Sequence, residues 1–235
     1  MLTENLKIAL ETLSNNKLRA SLTLLGIVIG VFSIISIMTL LSALQLGIEQ
    51  GLSSLGSNTY QVQKYPAIQV GGPGSMRKYR NRPDITYDQG LRLKERASIY
   101  NFISLEDYVN EKVFRYKGIH TNPNNTIGGV TPEYLPTNNR QIQYGRFITE
   151  TDVQNNRRVA VLGMDVIEKL FRFADPIGQK IILDNNEFEV IGVFERKGEG
   201  FGQSNDNFAL IPITTMQTLY GKNIRSLHIA IQAQD

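Results

Sequence analysis

Gly198, Gly200 and Gly202, alternating through KGEGFG, come nearest in this 235-residue chain to a phosphate-binding loop. Such a loop aims backbone N–H groups at phosphate oxygens, and it needs a lysine and a helix start directly after it. Neither follows, so the segment reads as the tip of a hairpin. The GGPG at 71–74 fails the same test, lacking the G-x-x-x-x-G-K-[ST] arrangement. The serines, Ser53 and Ser54 among them, lie outside any G-x-S-x-G elbow, and no Asp or Glu sits in a recognisable acid–base pair. Cysteine is absent, which excludes disulfides, thiolate metal sites and cysteine nucleophiles. His120 and His228 are far apart and in unlike settings, which argues against a histidine metal site. No catalytic, cofactor-binding or metal-binding constellation is expected.

The elements that would carry chemistry give way to one that meets lipid. Ser21 to Leu46, SLTLLGIVIGVFSIISIMTLLSALQL, contains no charged residue. At about 1.5 Å of rise per residue, roughly 20 apolar residues cross the hydrocarbon of a bilayer. A cleaved signal peptide needs a shorter apolar core and a small-residue cleavage site, and neither fits. Lys7, Lys17 and Arg19 precede the run, whereas Glu49 follows it and no basic residue appears before Lys64. This asymmetry places the amino end in the cytoplasm. Gly26 and Gly30 form a GxxxG pair that admits a second helix backbone, and Ser33 extends the small-residue content. Leu2, Leu6, Leu10 and Leu13 recur at helical spacing, which predicts an amphipathic helix over 1–20 before the span over 21–46. A helical extension over 47–58 should end near Gly56-Ser57-Asn58.

The remaining stretch, 59–235, reads as a folded extracytoplasmic domain. Its 25 basic and 22 acidic residues across the whole chain are too balanced for a nucleic-acid groove. TYQVQKY alternates as a strand, 69–84 reads as a basic loop, and Thr86 begins a helix with Tyr87, Leu91 and Leu93 partly on one face. IYNFISLEDYV and KVFRYKGI are β-rich. Thr149 to Asp152 has the spacing of a helix N-terminus. RRVAVLG is a buried strand, followed by the helix MDVIEKLFRF with Val166, Leu170 and Phe173 inward. KIILD and EFEVIGVFE pair across a turn at Asn185-Asn186. NFALIPI, TTMQTLYG and SLHIAIQAQ add a strand, a helix and a strand. Without βαβ regularity, the fold class is α+β: one amino-terminal transmembrane helix, then a mixed α+β domain of two small lobes.

Six motifs in order, GGVTPEYL, YGRFITETDV, VAVLGMDVIEKLF, DPIGQKIIL, FEVIGVFERKG and IPITT, stand behind NNKLRASLTLLGIVIGVFSIISI. Together they resemble the MacB-like periplasmic core domain of the FtsX/MacB family of ABC transporter permeases, over nearly the whole chain. The motif residues Gly145, Arg146, Asp152, Gly163, Asp175, Pro176, Gly178 and Gly192 are expected to be structural: glycines at turns, Arg146 paired with a nearby carboxylate, and 176–178 turning before a hairpin. Arg172 and Asn205-Asp206-Asn207 depart from the family pattern and read as loop changes, while Arg157, Arg158 and Lys197 read as solvated faces.

The resemblance implies a permease subunit in a bacterial inner membrane, with residues 47–235 periplasmic or extracellular and three further spans after Asp235. Its implied partners are a separate cytoplasmic ABC ATPase that binds the ATP, a second permease copy or a related permease, membrane lipid, and a periplasmic adaptor. Family cargo includes lipoproteins, peptides, toxins and macrolides. Two alternatives stay open: a membrane-tethered binding or sensor module not coupled to ATP, and a secreted enzyme cleaved near Ala43.

Overall fold

Lys17–Ser53 winds into one continuous helix, α1. The computed structural model describes residues 4, 16–53, 58–66, 77–200, 203–222 and 224–234. Within α1, the stretch Lys17–Leu46 is long and apolar enough to cross a membrane. Every side chain over 21–46 is exposed, so the helix is greasy on all sides, as a lipid-facing rod must be. Three of its hydroxyls bond back to the helix: Ser21 Oγ donates to the Leu18 carbonyl at 3.0 Å, and Thr23 and Thr39 donate to the Arg19 and Ile35 carbonyls at 2.8 Å. Back-bonding of this kind removes the cost of a polar group in hydrocarbon. The leucine-patterned stretch before Lys17 and the Gly56-Ser57 terminus lie outside the described residues.

Residues 1–50 and 51–235 form two units. The second is built on strands β1 (Thr59–Val62), β2 (Phe102–Lys112), β3 (Phe114–Tyr116), β4 (Ile119–His120), β5 (Asn125–Val130) and β6 (Ile142–Gly145). It continues with β7 (Val159–Leu162), β8 (Lys180–Leu183), β9 (Asn186–Phe194), β10 (Glu199–Gly200), β11 (Gln203–Ser204), β12 (Phe208–Pro212) and β13 (His228–Gln232). Eleven of these make one sheet in the order β1-β13-β2-β5-β12-β7-β9-β8-β3-β4, with β6 also on β9, while β10 and β11 form a separate hairpin. The pairs β5/β12 and β7/β9 are parallel and the others antiparallel, a mixed sheet consistent with the α+β class.

Six helices pack around this sheet or join its strands: α2 (Arg77–Arg80), α3 (Tyr87–Arg96), α4 (Tyr134–Thr137), α5 (Glu150–Gln154), α6 (Met164–Leu170) and α7 (Ile213–Tyr220). The basic stretch read as a loop over 69–84 thus contains one helical turn. Thr86 caps α3 through a reciprocal box, its hydroxyl taking the Gln89 N–H while the Gln89 side chain takes the Thr86 N–H. Tyr87 and Leu93 pack on the core, but Leu91 remains 37% exposed.

All four residues of β7 are buried, as befits a central strand covered on both faces. Val159 and Val161 join one apolar cluster with Leu105, Phe147, Phe194 and Leu210, while Ala160 and Leu162 join another with Phe114, Phe188, Ile211 and Met216. Alternation along the strand thereby supplies two cores from one element. Strands β5 and β12 sit so close to their coverings that a Cβ on Gly129 would lie 2.4 Å from the Met216 Cβ.

Two local expectations are corrected. The β8–β9 hairpin pairs Leu183 with Asn186, so its turn residues are Asp184 and Asn185, both at positive φ (46° and 67°). The tight turn is the kind anticipated, one residue earlier, because Asp tolerates the left-handed region nearly as well as Asn. Phe173 is 96% exposed rather than inward. Helix α6 stops at Leu170, so helical periodicity no longer applies three residues on; Phe171 turns inward instead, its ring 4.2 Å from that of Tyr116.

Gly129→Ala should cost about 1–3 kcal/mol through overpacking. The expected readout is a lower urea midpoint at unchanged slope; an unaltered midpoint would show that Met216 yields freely.

Candidate functional site

YGRFITETDV folds into a cradle around one carboxylate. Gly145 ends β6 at φ +80°, and Gly192 lies directly opposite it on β9. A Cβ on Gly145 would sit 2.3 Å from the Ile191 carbonyl oxygen, and one on Gly192 would sit 2.3 Å from that of Arg146. The two backbones can cross only because neither residue has a side chain. Just beyond the crossing, Arg146 turns its guanidinium onto Asp152, Nη1 at 2.6 Å from Oδ2 and Nη2 at 3.3 Å from Oδ1. Thr149 donates to Oδ2 from its N–H at 3.0 Å and its hydroxyl at 2.8 Å, and Arg157 Nη1 reaches Oδ1 at 3.2 Å.

Asp152 is fully buried, whereas Arg146 and Arg157 are about half-exposed. Burial pushes the carboxyl upward, but the Arg146 guanidinium and the two Thr149 donors outweigh it and hold the group well below the usual carboxylate range. Such an acid stays ionised and does not shuttle protons at neutral pH. Its role is to tie β6, α5 and the segment leading to β7 together. Thr215 extends the tie by donating to the Arg157 carbonyl at 3.0 Å, and Thr214 donates to that of Val153, so the IPITT motif is stapled to the same knot.

The turn 175–178 joins this assembly. The Ile177 N–H donates to Asp175 Oδ1 at 3.0 Å, the Gly178 N–H donates to the Val190 carbonyl at 2.8 Å, and Gly178 sits at φ +76° behind Pro176. Gly145, Arg146, Asp152, Gly192 and the turn are thus gathered about β9. Gly163 lies elsewhere: a Cβ there would be 2.2 Å from the Asp206 carbonyl oxygen.

Asn205-Asp206-Asn207 does lie in a loop, between β11 and β12, but Asp206 points inward rather than out. It is fully buried, and its carboxylate accepts from the Gly198 N–H at 2.7 Å, the Lys197 N–H at 2.9 Å and Arg140 Nη1 at 3.1 Å. Arg140 also donates to the Asn205 carbonyl at 2.7 Å and lies 4.9 Å from the Phe208 ring. Lys197 is likewise no solvated residue; its ammonium donates to the Asn138 carbonyl at 3.1 Å. Burial and the Arg140 charge push it down to about 8, against the opposing pull of Asp206. This cluster roots the β10–β11 hairpin. Nothing in the spacing of Arg140 and Asp206, far apart in the chain, announces their meeting.

A third buried acid, Glu106, accepts from the Tyr108 hydroxyl at 2.6 Å and from Asn138 Nδ2 at 2.7 Å. Burial pushes it up, and these donors hold it partly back. Tyr134 nearby is pushed up to about 12, mainly by burial and then by the Glu106 charge. Arg225 grips Asp107 with Nε and Nη2 at 2.9 and 2.8 Å. His228 is half-buried with its ring 5.4 Å from that of Tyr108, whereas His120 is exposed on β4. Among the described residues no cluster of His, Cys, Asp and Glu could hold a metal ion.

On α1, Gly26, Gly30 and Ser33 recur at helical spacing and are exposed; a Cβ on either glycine would meet nothing within 4 Å. The described residues therefore hold a small-residue stripe on an apolar helix, and a domain whose buried acids act as internal clamps.

Asp152→Asn should destabilise the folded domain by about 2 kcal/mol at neutral pH, the solvent-screened arginines keeping the loss modest. Because folding lowers this pKa, the stabilisation is complete above the ordinary carboxylate range near about pH 4 and fades as the pH falls below it. Denaturation curves of the two proteins should converge in acid; a gap independent of pH would overturn the assignment.

The MacB-like periplasmic core domain family matches residues 20–235. The chain is 33% identical over 221 residues to the macrolide export ATP-binding/permease protein MacB of Bdellovibrio bacteriovorus, covering 94% of this chain and 33% of that protein. It is 33% identical over 219 residues to the MacB of Rhodospirillum rubrum, covering 90% and 31%. The chain thus spans about a third of the length of these relatives. Its fold is that of the periplasmic region of MacB from Actinobacillus actinomycetemcomitans, with a TM-score of 0.63 at 18% identity over 78% of each chain. The extracellular domain of the noncanonic ABC-type transporter YknZ from Gram-positive bacteria gives 0.56 at 19% identity over 75% of this chain and 84% of that one. With the family model matching residues 20–235 and the fold alike, the chain belongs to the MacB-like periplasmic core domain family of ABC-type transporter permeases.

Proposed function

We propose that this chain is the membrane-anchored, extracytoplasmic part of a permease subunit in an ABC-type export or mechanotransmission system. The observation that carries this reading is the family match running unbroken from residue 20, within the apolar helix, to residue 235. Span and folded domain are matched as one piece, which is what a part that both anchors and transmits motion requires. The relatives are named as ATP-binding/permease proteins, and this chain aligns with about a third of each. ATP binding falls to a separate cytoplasmic ATPase, and the working unit holds two permease copies. Lys17 and Arg19 keep the amino end of α1 on the cytoplasmic side of a bacterial inner membrane, leaving 47–235 outside.

Transmission needs a head that moves as a body rather than deforming. Packed cores resist continuous deformation; the Asp152 clamp braces the stretch 146–157, and the Asp206 clamp ties in the distant Arg140. In lipid, helices associate through close backbone approach instead of a hydrophobic drive, so the Gly26–Gly30 stripe is the contact between neighbouring spans.

Gly26→Leu or Gly30→Leu should reduce crosslinking between spans of two copies several-fold while the outer domain keeps its thermal midpoint. Unchanged crosslinking would remove the packing role. Spin labels at exposed Glu150 in a nanodisc-reconstituted complex with the ATPase should shift their distance distribution on ATP binding. An identical distribution with and without ATP would favour the tethered binding or sensor module instead.

A further inference from the structure

Beyond that function, one surface has the makings of a docking site. A cavity of about 840 Å³ opens beside the carboxyl end of α6, lined by Tyr116, Lys117, Ile119, Lys169, Phe171 and Phe173 among others. Tyr116 and Phe171 form its floor as part of the core, but two apolar members of its rim stand in solvent: Phe173 is 96% exposed and Ile119 is 49% exposed. An aromatic ring left in water at a folded surface is a cost that a partner can relieve.

The charge around the cavity is mixed, with cations in excess. Asp165 and Glu168 line it, but both are engaged by Arg196, whose Nη1 lies 3.4 Å from Asp165 and whose Nη2 bonds Glu168. Lys169 Nζ rests on the neutral Asn122 side chain at 3.1 Å, and Lys117 lies 5.1 Å from the Tyr116 ring. Among the described residues none of Lys117, Lys169 and Arg172 pairs with a carboxylate, and Arg172 also lines the cavity. Three cations without carboxylates surround an exposed phenyl ring.

The backbone adds direction. Among the described residues β4 ends the sheet and pairs with β3 alone, Arg115 opposite His120 and Tyr116 opposite Ile119. Directly opposed residues share a face, so Ile119 and Tyr116 both border the cavity while Arg115 and His120 stand on the reverse side. A strand laid along β4 would alternate its side chains between the two faces, one set entering the cavity. Strand addition of this kind takes affinity from main-chain hydrogen bonds and selectivity from alternate pockets.

We propose that an acidic, extended segment of a partner protein docks along β4, seating an apolar side chain against Phe173 with its carboxylates on Lys117, Lys169 and Arg172. Lysine beside a sheet edge can also serve to repel strand pairing; that role predicts no binding and is an outcome of the test.

The probe is a fluorescein-labelled peptide alternating glutamate with valine and phenylalanine, titrated by anisotropy into the full chain in nanodiscs. A lysine-for-glutamate counterpart serves as control. The acidic peptide should bind and the basic one should not, with affinity falling as ionic strength rises. Phe173→Ser and the double variant Lys117→Glu/Arg172→Glu should each weaken binding about tenfold or more, with thermal midpoints unchanged because these side chains are exposed. The proposal fails if neither peptide binds, if both bind equally, or if Phe173→Ser binds normally. It also fails if Phe173→Ser instead splits a peptide-free dimer, which would make the face a contact between copies. Loss of binding to anionic vesicles alone would assign it to lipid.

Discussion

A carboxylate sealed from water stays charged only if donors surround it, and Asp152 meets that condition by collecting five contacts from three places in the chain. Its demands explain much of the neighbouring architecture. Arg146 can reach it only because Gly145 and Gly192 let two backbones cross, and Arg157 reaches it just as the chain turns into β7. Thr214 and Thr215 then bond to the carbonyls of Val153 and Arg157, so α7 is placed by the same knot. Asp206 repeats the device at the base of the β10–β11 hairpin, with Arg140 and two backbone N–H groups as donors. Truncating one partner of such a clamp leaves a buried charge uncompensated, which makes these positions intolerant of change.

Two solvents impose opposite rules on the two units. Along α1 the apolar side chains are exposed on every side, and Ser21, Thr23 and Thr39 fold their hydroxyls back onto their own helix. In the folded domain the apolar groups turn inward to two cores, and ionic groups are either on the surface or clamped. The buried acids differ in purpose from catalytic ones: Asp152 is held ionised well below neutrality, and Glu106, pushed the other way, is occupied by Tyr108 and Asn138.

Much of this was legible before any coordinates. A charge-free run of this length has few physical fates, and the alternation in KIILD and EFEVIGVFE needs little context to become a hairpin. Thr86 with Gln89 and Thr149 with Asp152 signalled their helix starts, because capping is a contact among residues three apart. The spacing of Arg146 and Asp152 also allowed the pairing that forms. What escaped were positions whose fate depends on distant segments. Asp206 looked like an ordinary loop acid until Arg140 was brought to it, and Phe173 looked like core until α6 stopped short of it.

The linear pattern by itself determined the apolar helix, most strands, the helix caps and the family, since each follows from local periodicity or from the order of motifs. Only the tertiary structure decided which acids are buried, that one strand feeds two cores, and that a phenyl ring stands in solvent beside an open sheet edge. The physical reason is range: periodicity and capping act over a few residues, whereas burial and charge neutralisation depend on groups that meet only when the sheet has closed around them.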